Sequence, residues 1–301
     1  MKKISSLLFI LLIIGTTALA QDSTTTADPR QWQFSIDASL LANQNAYSDN
    51  WSGGEAGSVI WSFNSNMLAT KKLSSKVTNK NTLKLSFGQT HNQHTLSKEW
   101  DAPVKSTDLI DLESVFRLTL GVWVDPFIAG RLESQFLDHR VPANERNFNP
   151  LKFTESAGAA KSLWKAEKSE WSIRLGYAMR QFVDQSVLDT LTLEKETQTS
   201  YDGGVEFVSE FNSPLANKRI NYTSRLTVYR ALFYSESDEL AGLPNEDYWK
   251  EPDVNWENIF SANITKYIIV NLYMQLVYDK EVKLGGQFKQ TLSLGLTYKL
   301  I

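Results

Sequence analysis

The 301-residue chain has no cysteine. That excludes a disulfide framework, a thiolate metal site and a lipid-modified cysteine at a processing site. Past the first twenty positions, no stretch approaches the run of about 18 apolar residues that a membrane-spanning helix requires, so a helical membrane protein is excluded. Charge of one sign is also lacking. The 31 Lys and Arg stand against 34 Asp and Glu, interspersed, for a net charge of −3, and nothing suggests a nucleic-acid partner. Histidine is scarce, with only His91, His94 and His139. A mean hydropathy of −0.30 looks soluble, but a membrane barrel needs only every second strand residue to be apolar.

The chain starts Met1-Lys2-Lys3, continues with an apolar run from Ile4 to Ile14, and reaches Ala18-Leu19-Ala20. A basic start, a short apolar core and an Ala-x-Ala ending predict a secretory signal peptide over 1–20, cleaved before Gln21. Residues 21–30 are Ser/Thr-rich and end near Asp28-Pro29, which reads as a periplasmic lead-in. With no linker inside 31–301, that stretch is expected to be one domain.

Within it, apolar residues recur at every second position in about twelve segments, the period of a β-strand with one apolar face. The segments are marked by Trp32 to Leu40, Val59 to Ala69, Leu83 to Phe87, Leu112 to Leu120, Ile128 to Phe136, Phe153 to Trp164, Trp171 to Met179, Val205 to Phe211, Ile220 to Val228, Val254 to Ile264, Ile268 to Tyr278 and Phe288 to Leu300. The sixth alternates poorly. Connections after odd-numbered segments are mostly long (42–57, 92–107, 139–152, 184–198, 234–252), and those after even-numbered ones are short (71–75, 122–126, 166–169, 212–217, 265–266). Short periplasmic turns alternating with long outer loops are the wiring of an outer-membrane barrel, whereas a soluble sandwich has no reason to sort its loops by parity. The expected fold is therefore all-β: an up-and-down antiparallel transmembrane β-barrel of about 12 strands.

The non-apolar face carries Lys84, Asp111, Glu113, Arg117, Arg131, Glu133, Arg174, Arg180, Glu206, Arg219, Arg225 and Lys289. An Arg or Lys on the lipid side would cost about 2–4 kcal/mol near the midplane, so these residues should face the lumen. There they form either a charged constriction that sorts small solutes or a salt-bridged plug. Trp32, Trp171, Tyr222 and Tyr298, near segment ends, suit an interfacial aromatic girdle.

The last segment, Ser293-Leu294-Gly295-Leu296-Thr297-Tyr298-Lys299-Leu300, resembles the C-terminal assembly signal of bacterial outer-membrane barrels, with Gly295, Tyr298 and Leu300 at its key positions. Asn50-Trp51-Ser52-Gly53-Gly54-Glu55 resembles, shifted by a residue or two, the Asn-Trp…Gly-Gly signature of an uncharacterised Bacteroidota envelope family, domain of unknown function 3078. Asp253-Val254-Asn255-Trp256-Glu257 and Leu276-Val277-Tyr278-Asp279 are similar to that family's last hairpins. The resemblance implies an outer-membrane β protein, exported to the Gram-negative cell surface, and implies no reaction. Read on its own residues, the Trp51, Gly53, Gly54, Glu55 stretch is expected to pack as a loop, its glycines permitting close backbone approach.

No G-x-S-x-G elbow or H-E-x-x-H helix is present, and no metal or cofactor is expected. The three histidines should cluster at the outer rim, as plain loop residues before any metal or hydrolytic site. Expected partners are membrane lipid and lipopolysaccharide, the barrel-assembly machinery and a small polar solute. The function so indicated is a narrow channel or ligand-gated pore for such solutes. The alternatives are a non-conducting structural or adhesion barrel, or an outer-rim hydrolase.

Overall fold

The computed structural model describes residues 31–47, 56–141, 144–188, 193–217 and 219–299. The signal and lead-in segments, the Trp51–Glu55 motif and Leu300 lie outside the described residues.

Fourteen strands form among the described residues. They are β1 (Gln33–Asn45), β2 (Ser58–Lys72), β3 (Val77–Asn92), β4 (Val104–Leu118), β5 (Asp125–Ser134), β6 (Leu137–Asp138), β7 (Arg146–Asn147), β8 (Leu151–Lys165), β9 (Glu170–Val187), β10 (Lys195–Leu215), β11 (Ile220–Tyr234), β12 (Asp253–Asn263), β13 (Ile268–Tyr278) and β14 (Gln287–Lys299). Twelve close a barrel in the order β1-β14-β13-β12-β11-β10-β9-β8-β5-β4-β3-β2, every pair antiparallel. The small β6–β7 hairpin lies inside the long connection between β5 and β8. No helix among the described residues is long and apolar enough to cross a membrane.

The barrel is greasy outside and charged inside. Among the described residues the buried set comprises 17 polar or charged side chains and only 8 hydrophobic ones, while Phe34, Leu40, Leu112, Ile128, Leu175, Trp256, Leu292 and Leu294 stand exposed at alternate positions. A water-soluble fold would bury these apolar groups, whereas a bilayer solvates them. At the short-turn rim, Trp164 and Trp171 pack on Phe211, Phe211 on Tyr222, and Tyr222 on Phe260 at 4.5 Å. Such a ribbon of rings suits an interface, where an aromatic body meets lipid and its polar edge meets water.

The seam between first and last strand is short. β1 and β14 pair over Asp37–Ala42 and Leu294–Lys299, against thirteen pairs between β1 and β2. Gly295 sits in that seam, and a Cβ there would collide with the Leu40 carbonyl oxygen and with Leu41. The structure thus gives Gly295 a steric reason. An apolar groove of about 520 Å³ lined by Leu40, Phe63, Tyr267, Leu296 and Tyr298 runs along the outer face of the seam, on the membrane side and away from the lumen.

β8 alternates weakly in sequence because both its faces are small: Ala157 and Ala159 point outward, Ser156, Gly158 and Ala160 inward. Its position is set by its neighbours on either side, β5 and β9.

Candidate functional site: the lumen

The inward face can be identified without reference to the membrane. Lys84 on β3 reaches Glu257 on β12 at 3.2 Å, Glu113 on β4 reaches Arg225 on β11 at 2.9 Å, and Lys80 on β3 reaches Glu210 on β10 at 3.4 Å. None of these strands are neighbours, so the pairs span the interior. Side chains two apart share a face, which places residues of the same parity in the lumen along each strand between its register shifts at Gly88/Gln89, Ser162/Trp164 and Gly203/Gly204.

Glu113 is the hub. It accepts hydrogen bonds from Arg174 Nη2 at 2.7 Å and from both Nη atoms of Arg225 at 2.9 Å. Arg225 Nη1 also donates to Glu210 at 2.8 Å, and Glu210 faces Lys80. One layer toward the long loops, Arg131 donates to Asp111 from Nε at 2.8 Å and Nη2 at 3.0 Å, and lies 3.0 Å from Glu133, which Lys152 approaches at 3.5 Å. Lys84 completes the layer, 4.0 Å from Asp111, with Tyr273 donating to Glu257 at 2.9 Å. Two charges taken out of water are tolerable only when paired and hydrogen-bonded, and here each carboxylate has at least two donors.

Above this, Arg180 is clamped between Asp202 and Asp253 at 2.7 Å and stacks 3.6 Å over the Tyr229 ring. A vestibule of about 150 Å³ opens there, lined by Arg131, Lys152, Arg180, Glu206, Tyr229 and Asp279 among others. The β11–β12 loop packs beside it, with Trp249 against inward-facing Ala178, Tyr229 and Ala231. At the short-turn rim, Arg117 pairs with Asp125 at 2.6 Å and donates to Ser162.

These pairs divide the lumen. On one side the cluster is packed dry, with Asp111 4%, Glu113 8%, Arg174 7% and Arg225 8% exposed. On the other, the wall of β13, β14, β1 and β2 presents mostly uncharged groups beside Asp37 and Lys289; its inward Leu41, Ile269 and Thr297 are buried, while Asn43, Asn66, Lys289 and Thr291 are exposed. The partition's cations show surface to this side, Lys80 at 45% and Lys84 at 26% of side-chain area. The interior is therefore a filled half and an open strip.

Most of the charges singled out from the sequence thus stand on the inner wall, but they do different things. Asp111, Glu113, Arg131, Arg174 and Arg225 build the partition, Glu133, Arg180 and Glu206 line the vestibule, Arg117 sits at the far rim, and Lys84 faces the strip. Arg219 lies in the β10–β11 turn, outside the wall. Lys80, Asp125, Lys152, Asp202, Glu210, Asp253 and Glu257 take equal part in the ion pairs. The available sequence signal was charge complementarity between paired strands, as in Arg180 opposite Asp202 and Glu210 opposite Arg225.

The histidines do not converge. His94 Nδ1 accepts from the backbone of Leu96 and Ser97, and His139 Nδ1 lies 3.0 Å from Glu145. No group of three His, Cys, Asp or Glu side chains among the described residues is placed to share a metal ion. The outer loop around β6 and β7 is held instead by Asp138, wholly buried, which accepts from Arg140 and Asn149 and pairs with Arg146. Burial pushes that carboxyl up, but the Arg140 and Asn149 donors outweigh it and hold Asp138 well below the usual carboxylate range.

Residues 42–139 match the model of a family described as "Protein of unknown function (DUF3078)". No curated protein matches the chain. Among solved structures the chain is similar to an outer membrane channel from Pseudomonas putida F1, at 12% identity over 92% of this chain and 99% of that one, with a TM-score of 0.39. It is also similar to the translocator domain of the autotransporter NalP from Neisseria meningitidis, at 10% identity over 88% and 87% with a TM-score of 0.35, and to the NanC porin, at 9% identity over 88% and 100% with a TM-score of 0.36.

Proposed function

We propose that this barrel resides in a bacterial outer membrane and acts as a narrow channel for small polar solutes. The observation that carries this reading is the open strip. A barrel that merely needed filling would pack both halves of its lumen; on this wall the inward Leu41, Ile269 and Thr297 are buried, while Asn43, Asn66 and Thr291 stay exposed. A twelve-stranded barrel is intermediate between small filled barrels and open porins. Here the partition uses up much of the bore and leaves a passage suited to small solutes. Membrane lipid and lipopolysaccharide act as solvent for the apolar face, and insertion by the barrel-assembly machinery would use the β14 signal.

Single-channel recording in a planar bilayer tests the reading. Folded protein is expected to give small, discrete conductance steps in potassium chloride. Absence of current from heat-modifiable, fully folded protein would leave the second reading, a non-conducting structural barrel, which the Glu113 hub bridging β4, β9 and β11 favours.

A further inference from the structure

The strip is not electrically neutral. Its acids are largely spoken for: Glu257 is held by Lys84 and Tyr273, and Glu210 by Arg225 and Lys80. Asp37, half-buried on β1, is the carboxylate of the wall itself. The cations, by contrast, reach into the opening. Lys80 and Lys84 are exposed beyond their ion pairs. Lys289 on β14 is the decisive residue. Its register partner is Gln275, itself opposite Glu257, so it points inward, and it stands exposed with no hydrogen-bond or ion-pair partner among the described residues. Exposed lysines on both sides of a narrow aqueous strip, Lys289 among them unpaired, favour an ion of the opposite sign.

Resting on the channel reading above, we infer that the strip is selective for small anions, inorganic or carboxylate, and that Lys289 is the residue on which a passing anion pauses. An anion there meets a lysine whose charge no protein acid cancels, while Gln275 and Thr291 beside it supply neutral polar contacts. Lys84 faces it from the partition. Among the described residues, the carboxylate on the same wall is Asp37, which is half-buried.

Two measurements on the full-length folded protein decide this. Reversal potentials across a tenfold potassium chloride gradient should show chloride preferred over potassium, with Lys289→Gln lowering the permeability ratio at least threefold and Lys289→Glu inverting it. Separately, chloride-35 linewidth in detergent solution should broaden with added wild-type protein and lose most of that excess with Lys289→Gln. Current without any dependence on residue 289, or selectivity for potassium, overturns the anion inference and leaves the channel standing. No current, but Lys289-dependent broadening, overturns the channel and keeps the anion site. Neither signal overturns both. Both variants change an exposed side chain, so heat-modifiability on a gel should match wild type and confirm that the comparison is between folded barrels.

Discussion

The two sides of the partition are made of the same strand geometry and differ only in what fills the inward positions. On β4, β5 and β9 to β11 these positions carry acids and bases whose reach exceeds the strand spacing, so they meet across the small inward face of β8 and exclude water. On β13, β14, β1 and β2 they are mostly uncharged, with few ion pairs to draw them together, and Asn43, Asn66, Lys289 and Thr291 stay exposed. The lesson is that a barrel's bore is set by side-chain length and charge pairing as much as by strand number. A twelve-stranded frame holds both a core and a conduit.

That contrast is most sharply broken at Glu113. Glu113→Ala strips Arg174 and Arg225 of their shared acceptor and leaves two guanidinium groups buried with fewer partners. Breaking a buried pair from one side costs about 3–5 kcal/mol. Equilibrium unfolding in urea with the barrel in lipid should show a loss of that size, and the surviving channels should conduct more because the partition loosens. Asn66→Ala on the open side, an exposed side chain, should change stability by less than about 0.5 kcal/mol. Equal losses at the two positions would mean that the halves do not differ in kind.

Charge reversal separates the sides again. Arg131→Glu would set a third carboxylate beside Asp111 and Glu133, so its expected result is a loss of folded barrel of roughly 2–4 kcal/mol and no clean change in selectivity. Lys289→Glu should do the reverse, altering reversal potential while the unfolding midpoint stays put. A folded Arg131→Glu barrel with wild-type stability would show that the partition is wet.

The frame of this molecule was readable from residue order, and the partition was not. Period-two alternation marks eleven of the twelve barrel strands and, with the parity of loop lengths, brackets β8 as well, because both are local consequences of a wall with lipid on one side. The β6–β7 hairpin has too few residues to carry a period and escapes notice. Which face is inner follows from the cost of charge in lipid. Which charges meet does not, since Lys84 and Glu257 are 173 residues apart and come together only once the barrel has closed with its particular stagger. The solitude of Lys289 is likewise a fact about what its neighbours lack. It shows only when Gln275, and no acid, is found opposite.

On the open side the weakest point is the seam. Gly295→Ala places a methyl group against the Leu40 carbonyl and Leu41, where the backbone must shift. Overpacking of this kind costs about 1–3 kcal/mol. Because β1 and β14 share so few pairs, the loss should appear as slower assembly into lipid vesicles as well as a lower unfolding midpoint. Wild-type assembly rates would assign the glycine to the assembly signal's sequence alone, with no steric part.

The smallest effect is expected where the two sides meet, at the long-loop mouth. Glu281, in the β13–β14 loop, is pushed up to about 7 by its surroundings, first by burial and then by the like charges of Asp279 and Asp253. Its surface stays open, so the crowd of carboxylates is the firmer part of that cause and the energy involved is a fraction of what the shift would suggest. The sign follows from linkage: a carboxyl raised in the folded state favours the packed loop while protonated. That contribution is complete at acid pH, below the ordinary carboxylate value, and drains away as pH rises from about 4.5 toward 7. Hydrogen exchange of residues 279–286 should therefore quicken across that window beyond its intrinsic pH dependence, and Glu281→Gln should flatten the excess. If the excess persists in the glutamine variant, another carboxylate of the mouth controls the loop; if wild type shows none, the mouth is too well hydrated for its charges to feel one another.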